Sequence, residues 1–463
     1  MTASTGAPGP AGIARPGSPA YEEASRVFNL AAPAHPEAAV TVDGIDGIRA
    51  ALRHAADAGL PVRVIGTGHA SGAARPMDGA LLIRTRLAGG VEIDPQRRVA
   101  RVPAGTRWAE VVEAAAPYGL AAPHGSSGGV GVVGYALGGG AGFYGRTTGL
   151  AANLVRAVEL VTADGTVVRA DAGQDAELFW ALRGGGGGFG VVTAVEVALF
   201  PVHRTVTGGA YWPASLAEPL LEAWLRWCAD APRSATTSLR LMNLPPLPGV
   251  PAELAAGPVL AVDGAVHAAD ETGLAGALRD ADDLLGPLRA IGKPLIDTWH
   301  AAEPAAVLHA HMDPADPVPF VGDHLLLGAL DGAGAQAFLG AVGEGSGSPL
   351  VVASLRQLGG AFAEADPAGG VLSRVDAPYA YMGSGPPFGP VTVAALEEHC
   401  TRVRAALTPW DTGRTLPSLV ENHHRPQRHL DAADAAAVAR IRAGVDPEGR
   451  FAGDIALGAL PPA

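Results

Sequence analysis

Apolar positions follow two different spacings along this chain, and each spacing predicts a type of element. Ile45, Ile48 and Leu52 recur at helical spacing, which predicts a helix that ends before Gly59. A second helical stripe covers residues 108–115, and Thr106 is in position to cap it. Short apolar or β-branched runs without this spacing predict strands. In the first part of the chain they cover residues 62–65, 81–84, 99–102, 154–162, 166–169 and 189–200.

The connections between these elements decide the fold class. Residues 163–165 read Ala-Asp-Gly, a turn signal that predicts a hairpin between two strands. A short helix over residues 175–183 precedes the last strand. Helices and strands are thus interleaved without a regular strand-helix-strand alternation, and we predict an α+β fold.

The second part of the chain also mixes helices and strands. Ser215 is in position to cap a helix whose Leu216, Leu220, Trp224 and Cys228 share one face. Further helical periods cover residues 271–285 and 396–407, and predicted strands cover residues 236–242, 259–262, 320–327 and 350–355.

Composition limits the class of protein. A chain of 463 residues, 48% apolar and 17% charged, is long enough for two or three globular domains. Its net charge of −13 disfavours nucleic acid and anionic membranes as partners. Cys228 and Cys400 are too few for a disulfide framework or a cysteine-rich metal site. No apolar run reaches the ~18 residues of a membrane helix, and residues 1–20 lack the apolar stretch of a secretory signal. We therefore predict a cytoplasmic protein.

The densest feature of the sequence is the glycine-rich segment, which we define as residues 125–145. Ten of its 21 positions are glycine. Each glycine costs roughly 0.5–1 kcal/mol relative to alanine in regular structure, so this density indicates a backbone that approaches something closely or takes positive φ. A bulky cofactor that carries phosphates is the usual neighbour of such a backbone.

A dinucleotide-binding fold is one interpretation of this segment. Gly140, Gly142 and Gly145 have the G-x-G-x-x-G spacing, and Glu159 follows at about the expected ~20 residues. That motif requires a helix at its last glycine, however, and residues 146–153 show no helical period. A second match at residues 185–190 follows a helix instead of a strand. The sequence disfavours this fold.

Four motifs, taken in order, resemble a known family. They are Gly66-Thr-Gly-His69, the glycine-rich segment from Gly125-Ser-Ser to Gly140, Gly149-Leu-Ala-Ala-Asn153, and residues 178–193 with their run of five glycines. In this order they resemble the berberine bridge enzyme-like FAD-linked oxidases, which have an FAD-binding fold of the vanillyl-alcohol oxidase (PCMH) type. The resemblance is continuous over the first half of the chain and resumes weakly near the C terminus.

The resemblance implies a two-part FAD-binding domain with an inserted α+β substrate domain. Residues 1–20 are then a disordered leader, residues 21–202 the FAD-binding domain, residues 203–413 the substrate domain, and residues 414–463 the return of the chain to the FAD-binding domain. Residues 438–441 and Asp446-Pro447 resemble the closing helix and turn of the family.

The resemblance also implies that His69 is bonded through a ring nitrogen to the 8α-methyl group of the flavin. A neutral imidazole is a suitable nucleophile for that bond. A histidine in a glycine loop could instead be a hydrogen-bonded core residue, but the surrounding motifs favour the covalent link. Backbone N–H groups of both loops would bind the pyrophosphate. The implied cofactor contacts are Gly66, Thr67, Gly68, His69, Ala70, Ser71, Ser126, Ser127, Gly131, Val132, Gly134, Tyr135, Gly139, Gly140, Asn153, Leu154, Gly190 and Val192.

Two departures from the family affect the chemistry. Many relatives have a cysteine at the position of Ser127 and bond the flavin a second time there, which a serine hydroxyl does not readily do. We therefore expect a single link, through His69. Many relatives also carry a tyrosine beside the flavin near the C terminus, where this chain reads Thr415-Leu-Pro-Ser-Leu-Val-Glu-Asn422. The identity of the catalytic base is left open by this change.

Other polar residues have two interpretations each. His423, His424 and His429 could bind a metal, but no accompanying ligand motif is present, so a solvated loop is favoured and we predict no metal site. His309 and His311 alternate as on a strand and could face the substrate, although a structural role is the more common one. Tyr135, Tyr144, Tyr379 and Tyr381 are candidate proton acceptors, and Tyr144 ranks first because it lies in the glycine-rich segment.

We expect an FAD-dependent oxidase that takes hydride from the C–H bond of an alcohol or amine and reduces O₂ to H₂O₂. Its substrate would be a small or mid-sized, neutral or cationic organic molecule, for example a specialised metabolite. The alternative is a flavin-retaining protein with a redox-neutral role in binding or cyclisation. The sequence does not indicate an oligomeric state.

Overall fold

The structure is a computed structural model that describes residues 12–246, 249–425, 427–451 and 453. The first described residues already belong to the fold, because Ile13 and Ala14 are buried and Ala14 pairs with Ala39. A helix, Pro19–Ser25, follows at once, and the Ser18 side chain caps it. The expected leader, residues 1–20, is therefore too long at its C-terminal end, and its first eleven residues lie outside the described residues.

The first region contains most of the short elements of the chain. Its helices are α1 (Pro19–Ser25), α2 (Ile45–Ala58), α3 (Trp108–Ala115), α4 (Val132–Leu137), α5 (Gly145–Thr148), α6 (Ala151–Leu154) and α7 (Ala176–Leu182). Its strands are β1 (Ala38–Val42), β2 (Val62–Ile65), β3 (Leu81–Thr85), β4 (Glu92–Asp94), β5 (Val99–Pro103), β6 (Leu120–Ala121), β7 (Val155–Val161), β8 (Val167–Asp171), β9 (Val191–Ala198) and β10 (Phe200–Pro201).

Two sheets organise this region. Strands β1, β3 and β2 form a parallel sheet in that order, and α2 packs its Ile48 and Leu52 against it. Strands β4, β5, β9, β7 and β8 form an antiparallel sheet in that order, which includes the predicted hairpin of β7 and β8. The loop after β2 and the glycine-rich segment before β7 are the long connections between these elements.

The second region is built on one large antiparallel sheet. Its helices are α8 (Ala217–Asp230), α9 (Ala252–Ala255), α10 (Leu274–Ile291), α11 (Gly332–Val342) and α12 (Val393–Leu407). Its strands are β11 (Arg204–Pro213), β12 (Ala235–Met242), β13 (Val259–Ala268), β14 (Ile296–Asp297), β15 (His300–Ala302), β16 (Val321–Leu327), β17 (Val352–Gln357) and β18 (Tyr379–Gly385). The strand order is β14-β11-β13-β12-β17-β18-β16, and β15 also pairs with β11.

This sheet has two different buried faces because successive side chains of a strand point to opposite sides. One face packs on the apolar sides of α8, α10, α11 and α12, and its residues include Leu239, Val262, Leu355 and Tyr381. The alternate positions form what we call the inner face. It carries Ser238, Arg240, Asp263, Ser354 and Arg356, and all five are buried. Buried charged residues across a sheet are unusual and mark this face as a candidate site.

The C-terminal segment returns to the first region. Helix α13 (Ala432–Val445) packs on α7, and the Arg442 side chain donates to the carbonyl groups of Gly185 and Gly187. Phe451 then pairs with Val62 of β2. The predicted α+β class, with a second domain inserted between two parts of the first, is confirmed. No helix among the described residues is long and apolar enough to cross a membrane.

The structure differs from the sequence prediction at several elements. Thr106 does not cap α3, because Arg107 is the N-cap residue. His309 ends a 3₁₀ helix, Pro304–His309, so the strand expected around His309 and His311 is wrong. Proline at the start of that segment favours a helical turn over a strand. Helix α11 was not predicted, since its composition is dominated by Gly and Ala and gives no apolar stripe.

Candidate active site

His69 lies in the loop that follows β2, and its ring is held by Thr67 and Phe28. Its Nδ1 is 3.0 Å from Thr67 Oγ1, and its ring stacks on Phe28 with the centroids 4.0 Å apart. Thr67 Oγ1 also accepts a hydrogen bond of 3.1 Å from the N–H of Gly131. Thr67 therefore joins the His69 loop to the glycine-rich segment.

The imidazole of His69 is neutral at physiological pH. Burial, together with the positive charge of Arg107, lowers its pKa to about 4, and the carboxylate of Asp313 opposes that shift. Its Nε2 is buried without a hydrogen-bond partner among the described residues. A neutral, partly desolvated imidazole with a fixed ring is the form that can attack an electrophile.

The loops around His69 leave donors and space for a ligand. Within the described part of the chain, the backbone N–H groups of His69, Ala70 and Ser71 reach no acceptor, and the buried Ser71 hydroxyl has no partner. A Cβ atom placed on Gly66 or Gly134 would meet nothing within 4 Å. Unpaired N–H groups beside open space are what a phosphate-bearing ligand requires.

At other glycines of the segment, atoms of the protein itself fill the space that a side chain would occupy. A Cβ atom on Gly140 would lie 2.5 Å from Cε1 of Tyr135, and one on Gly142 would collide with the carbonyl oxygen of His124. A Cβ atom on Gly145 would enter the ring of Phe362. The glycine density of this segment thus reflects two needs, because some glycines face open space and others face protein.

Comparison with known families identifies part of the first region. Residues 36–171 match the family described as FAD binding domain. These residues form an FAD-binding domain. Over 168 residues the chain is 39% identical to (R)-6-hydroxynicotine oxidase of Paenarthrobacter nicotinovorans, a match that spans 36% of this chain and 37% of that enzyme. The chain spans about a third of the length of the first curated relatives that it matches.

Solved structures extend the likeness to the whole fold. The chain is 20% identical to the Physcomitrella patens BBE-like 1 protein, with a TM-score of 0.79 over 97% of this chain and 96% of that one. Glucooligosaccharide oxidase from Acremonium strictum is also 20% identical, with a TM-score of 0.74 over 97% of both chains. That protein is described with a 6-S-cysteinyl, 8α-N1-histidyl FAD. The predicted resemblance to the berberine bridge enzyme-like FAD-linked oxidases is confirmed for the FAD-binding domain and the fold.

The structure brings several predicted contacts of the FAD-binding domain together. Ser127 Oγ accepts a hydrogen bond from the N–H of Gly129, and a Cβ atom on Gly129 would lie 3.8 Å from Nε2 of His69. Ser126 donates 2.5 Å to Asp313 of the second region. Val132 and Tyr135 belong to α4, which begins directly after Gly131. Of these residues, Gly129 lies beside the His69 ring.

The remaining predicted contacts are built into the protein interior. Asn153 donates 2.7 Å to the carbonyl group of Ser373, while its buried Oδ1 has no partner among the described residues. A Cβ atom on Gly139 would lie 2.9 Å from Cδ1 of Leu416. Leu154 ends α6, and Val192 pairs with Leu160 across the antiparallel sheet. Their part in cofactor binding stays a prediction, as does that of Gly68 and Gly190.

Tyr144 is fully enclosed. Its hydroxyl donates 3.3 Å to the carbonyl group of Pro304, and its ring packs edge-on against His124, Phe200 and His267. Burial raises its pKa above the ordinary value. A phenol with a raised pKa that donates to a carbonyl is a weak proton acceptor at neutral pH. Its role as the base stays a prediction.

The inner face carries functional candidates that the sequence analysis missed. Arg240 pairs with Asp263 at 2.5 Å, and His311 Nδ1 lies 3.0 Å from the other oxygen of the same carboxylate. Arg356 lies nearby with its guanidinium 4.5 Å over the ring of Phe143. We call Arg240, Asp263, His311 and Arg356 the charged cluster. The available signal was a charged residue at the centre of an otherwise apolar strand, as at Asp263 in Val259–Ala268.

The charges of this cluster depend on each other. Burial alone would raise the pKa of Asp263, but Arg240 and His311 hold it below the ordinary value. Asp263 is therefore ionised, and its carboxylate accepts the Nδ1–H of His311, which fixes the orientation of that ring. The arrangement is that of a histidine oriented by a buried carboxylate.

A half-buried carboxyl group, that of Glu421, also comes from the C-terminal segment. A Cβ atom on Gly322 of β16 would lie 3.1 Å from Cβ of Glu421, and the His423 N–H donates 2.8 Å to the carbonyl group of Gly72, three residues after His69. Burial raises the pKa of Glu421 to about 8. The stretch that lacks the tyrosine of the family thus places a protonated carboxyl group close to the His69 loop.

Proposed function

We propose that the protein is an FAD-dependent oxidase that oxidises an alcohol or amine carbon of a small organic substrate. The bound FAD would supply the redox chemistry, accepting a hydride from carbon and passing both electrons to O₂ with two protons to give H₂O₂. The FAD-binding domain and the open, donor-rich loops around His69 are the observations that carry the proposal.

The structure supports a covalent link at His69. The ring is neutral, its Nε2 is unpartnered among the described residues, and Thr67 fixes its orientation through Nδ1. Gly129 lies between Ser127 and the same ring, since a Cβ atom on it would approach both side chains. A serine hydroxyl, however, is a poor nucleophile toward a flavin carbon. We propose a single bond through His69.

We propose His311 as a second candidate for the proton acceptor, beside Tyr144. Asp263 fixes its tautomer so that Nε2 can accept the proton of a substrate hydroxyl or ammonium group. The ring also packs edge-on against Phe143 of the glycine-rich segment, 5.8 Å between centroids. A base held by a buried carboxylate has the geometry for general-base catalysis, whereas Tyr144 already donates to Pro304.

Oxygen-dependent peroxide formation tests the proposal. Flavin-loaded protein is incubated with a panel of primary and secondary alcohols and amines, and H₂O₂ is measured with a peroxidase-coupled dye. We expect peroxide in proportion to substrate consumed, and bleaching of the flavin absorbance when O₂ is removed. Turnover without bleaching or peroxide would instead support a redox-neutral role, and failure to bind FAD would refute the proposal.

A further inference from the structure

Two guanidinium groups of the inner face are buried next to each other in the sheet. Strand pairing places Asp263 opposite Ser238 and Ser238 opposite Arg356, so these three side chains form one row across β13, β12 and β17. Arg240 follows two residues after Ser238 on the same face. Arg240 and Arg356 are 3% and 2% exposed, which makes both of them core residues.

The two arginines have unequal partners. Asp263 neutralises Arg240. Within the described chain, no carboxylate reaches ion-pair distance of Arg356, whose contacts are neutral: Ser238 Oγ at 3.1 Å, the carbonyl oxygen of Ala141 at 3.3 Å and the ring of Phe143. Burial lowers the pKa of Arg356, but a guanidinium stays protonated in a protein. The buried groups therefore carry about one uncompensated positive charge, and such a charge is expensive unless an anion pairs with it.

Donor atoms are available for that anion. Nη2 of Arg240 and Nη2 of Arg356 are both buried, and neither has a hydrogen-bond partner among the described residues. Buried polar atoms in native proteins are nearly always paired, so two unpaired guanidinium nitrogens on one face indicate a missing ligand. The planar donor geometry of guanidinium matches a carboxylate.

This face also adjoins the glycine-rich segment, which Thr67 joins to the His69 loop. Arg356 contacts Ala141 and Phe143 of the glycine-rich segment. Asp313, hydrogen-bonded to Ser126, opposes the lowering of the pKa of His69 and favours the protonated forms of Arg240 and Arg356. The inner face therefore contacts the glycine-rich segment directly, through Arg356 on Ala141 and Phe143.

We propose that the substrate is a carboxylate-bearing molecule and that Nη2 of Arg356, supported by Nη2 of Arg240, binds its carboxylate. The inference rests on the proposed oxidase function and narrows its substrate class. A monoanion is favoured over a phosphate dianion because only one positive charge of the buried cluster is uncompensated. The neutral or cationic substrate expected from the sequence is replaced by an anionic one.

The experiment compares simple carboxylates with their amides, which have nearly the same shape without the charge. Acetate, benzoate and phenylacetate, and the three amides, are titrated into flavin-loaded protein. Binding is followed by the flavin difference spectrum and independently by the melting temperature. We expect at least one acid to bind about 10- to 100-fold more tightly than its amide, the range of one or two charged hydrogen bonds.

Variants identify the binding residue. Arg356→Met should weaken binding of the preferred acid by about 10- to 100-fold, and Arg356→Lys should restore part of it, while flavin content stays the same. Arg233→Gln changes an exposed arginine that pairs with Glu364 and not with the charged cluster, and it is the control that should leave binding unchanged. If Arg356→Met does not fold, Arg356→Lys and the acid-amide pairs on wild-type protein still decide the question.

Three results would overturn the proposal. One is equal binding of every acid and its amide, or no binding of either. Another is unchanged acid binding in Arg356→Met. The third is a loss of flavin in Arg356→Met with normal acid binding, which would assign Arg356 to the cofactor. Should the protein bind no FAD, the oxidase proposal fails, but the melting-temperature titration still tests carboxylate binding.

Discussion

The loops of the FAD-binding domain and the inner face of the large sheet meet where Arg356 contacts Ala141 and Phe143, but different parts of the polypeptide build them. Around His69 the protein offers backbone N–H groups and the empty positions of glycine side chains, as at Gly66 and Gly134. The inner face offers charged side chains fixed by strand pairing. We call the loops the backbone wall, which we expect to bind the phosphates of a cofactor, and the inner face the side-chain wall, which we expect to bind the substrate.

The difference also explains why the glycine loops could be predicted from the sequence and the charged cluster could not. A glycine loop is local in sequence, so Gly66-Thr-Gly-His69 and residues 125–145 predict a cofactor side directly, and the match of residues 36–171 to the FAD binding domain family agrees with that prediction. The charged cluster joins β12, β13, β17 and the segment after residue 309, which are distant in sequence. Only the strand register of the folded sheet brings Arg240, Asp263 and Arg356 together.

Local physics accounts for most of the elements that were predicted. Helix α2 was foreseen because its apolar stripe is clear and Gly59 ends it with φ of 65°. The interpretation of the glycine density was too narrow, because Gly142 and Gly145 face His124 and Phe362 instead of open space. Contacts between distant segments of this kind leave no signal in a single sequence.

The largest expected effect lies in the side-chain wall. Asp263→Asn removes the charge that pairs Arg240 and orients His311, leaving a buried cation uncompensated. We expect the free energy of unfolding in urea to fall by about 3–5 kcal/mol. Glu364→Gln, which breaks an exposed ion pair with Arg233, is the control and should change stability little. A small loss for Asp263→Asn would show that the cluster is not electrostatically coupled.

The backbone wall predicts a contrast between two glycines. Gly142→Ala places a methyl group against the carbonyl group of His124 and should destabilise the apo-protein by about 1–3 kcal/mol. Gly134→Ala lies in α4 with open space at its Cβ position, so it should leave apo-protein stability nearly unchanged while weakening FAD binding. Melting temperatures with and without added FAD measure both effects. Equal effects of the two substitutions on both quantities would contradict the division into packing and cofactor glycines.

Acid should destabilise the fold through its buried histidines. Burial lowers the pKa of His124, His267, His324 and His429 to about 4. The unfolded chain binds protons as pH falls through about 6.5, whereas these folded residues do so only near 4, so the free energy of unfolding decreases over that interval. We expect the melting temperature to be several degrees lower at pH 5 than at pH 7.

Glu421 affects the pH dependence of the free energy of unfolding in the direction opposite to that of the buried histidines. Its folded pKa of about 8 gives a contribution to stability that is complete below the ordinary glutamate pKa and is lost as pH rises toward 8. Glu421→Gln should therefore steepen the fall in melting temperature between pH 7 and pH 5. A melting temperature that is constant or higher at pH 5 in the wild-type protein would contradict the assignment of neutral buried histidines.

The smallest expected effect concerns a second covalent bond between the backbone wall and the flavin. Ser127→Cys replaces a hydroxyl with a thiol that can form a thiolate near neutral pH. With Ser127 close to the His69 ring through Gly129, we expect a second flavin bond, detected as two tryptic peptides cross-linked by FAD. Ser126→Cys, whose position is turned toward Asp313, is the matched control and should form no cross-link. Absence of the link in folded, flavin-loaded Ser127→Cys would mean that this loop follows a different path along the flavin.

The central claim is that the glycine-lined loops hold FAD and that His69 bonds it. Its most direct test is acid precipitation of purified, FAD-loaded protein, followed by mass spectrometry of the tryptic peptide that contains His69. We expect the yellow colour to stay with the precipitate and the peptide to carry the mass of FAD, whereas His69→Ala should release its flavin into the supernatant. Full release of flavin by the wild-type protein, or its attachment at another residue, would contradict the account.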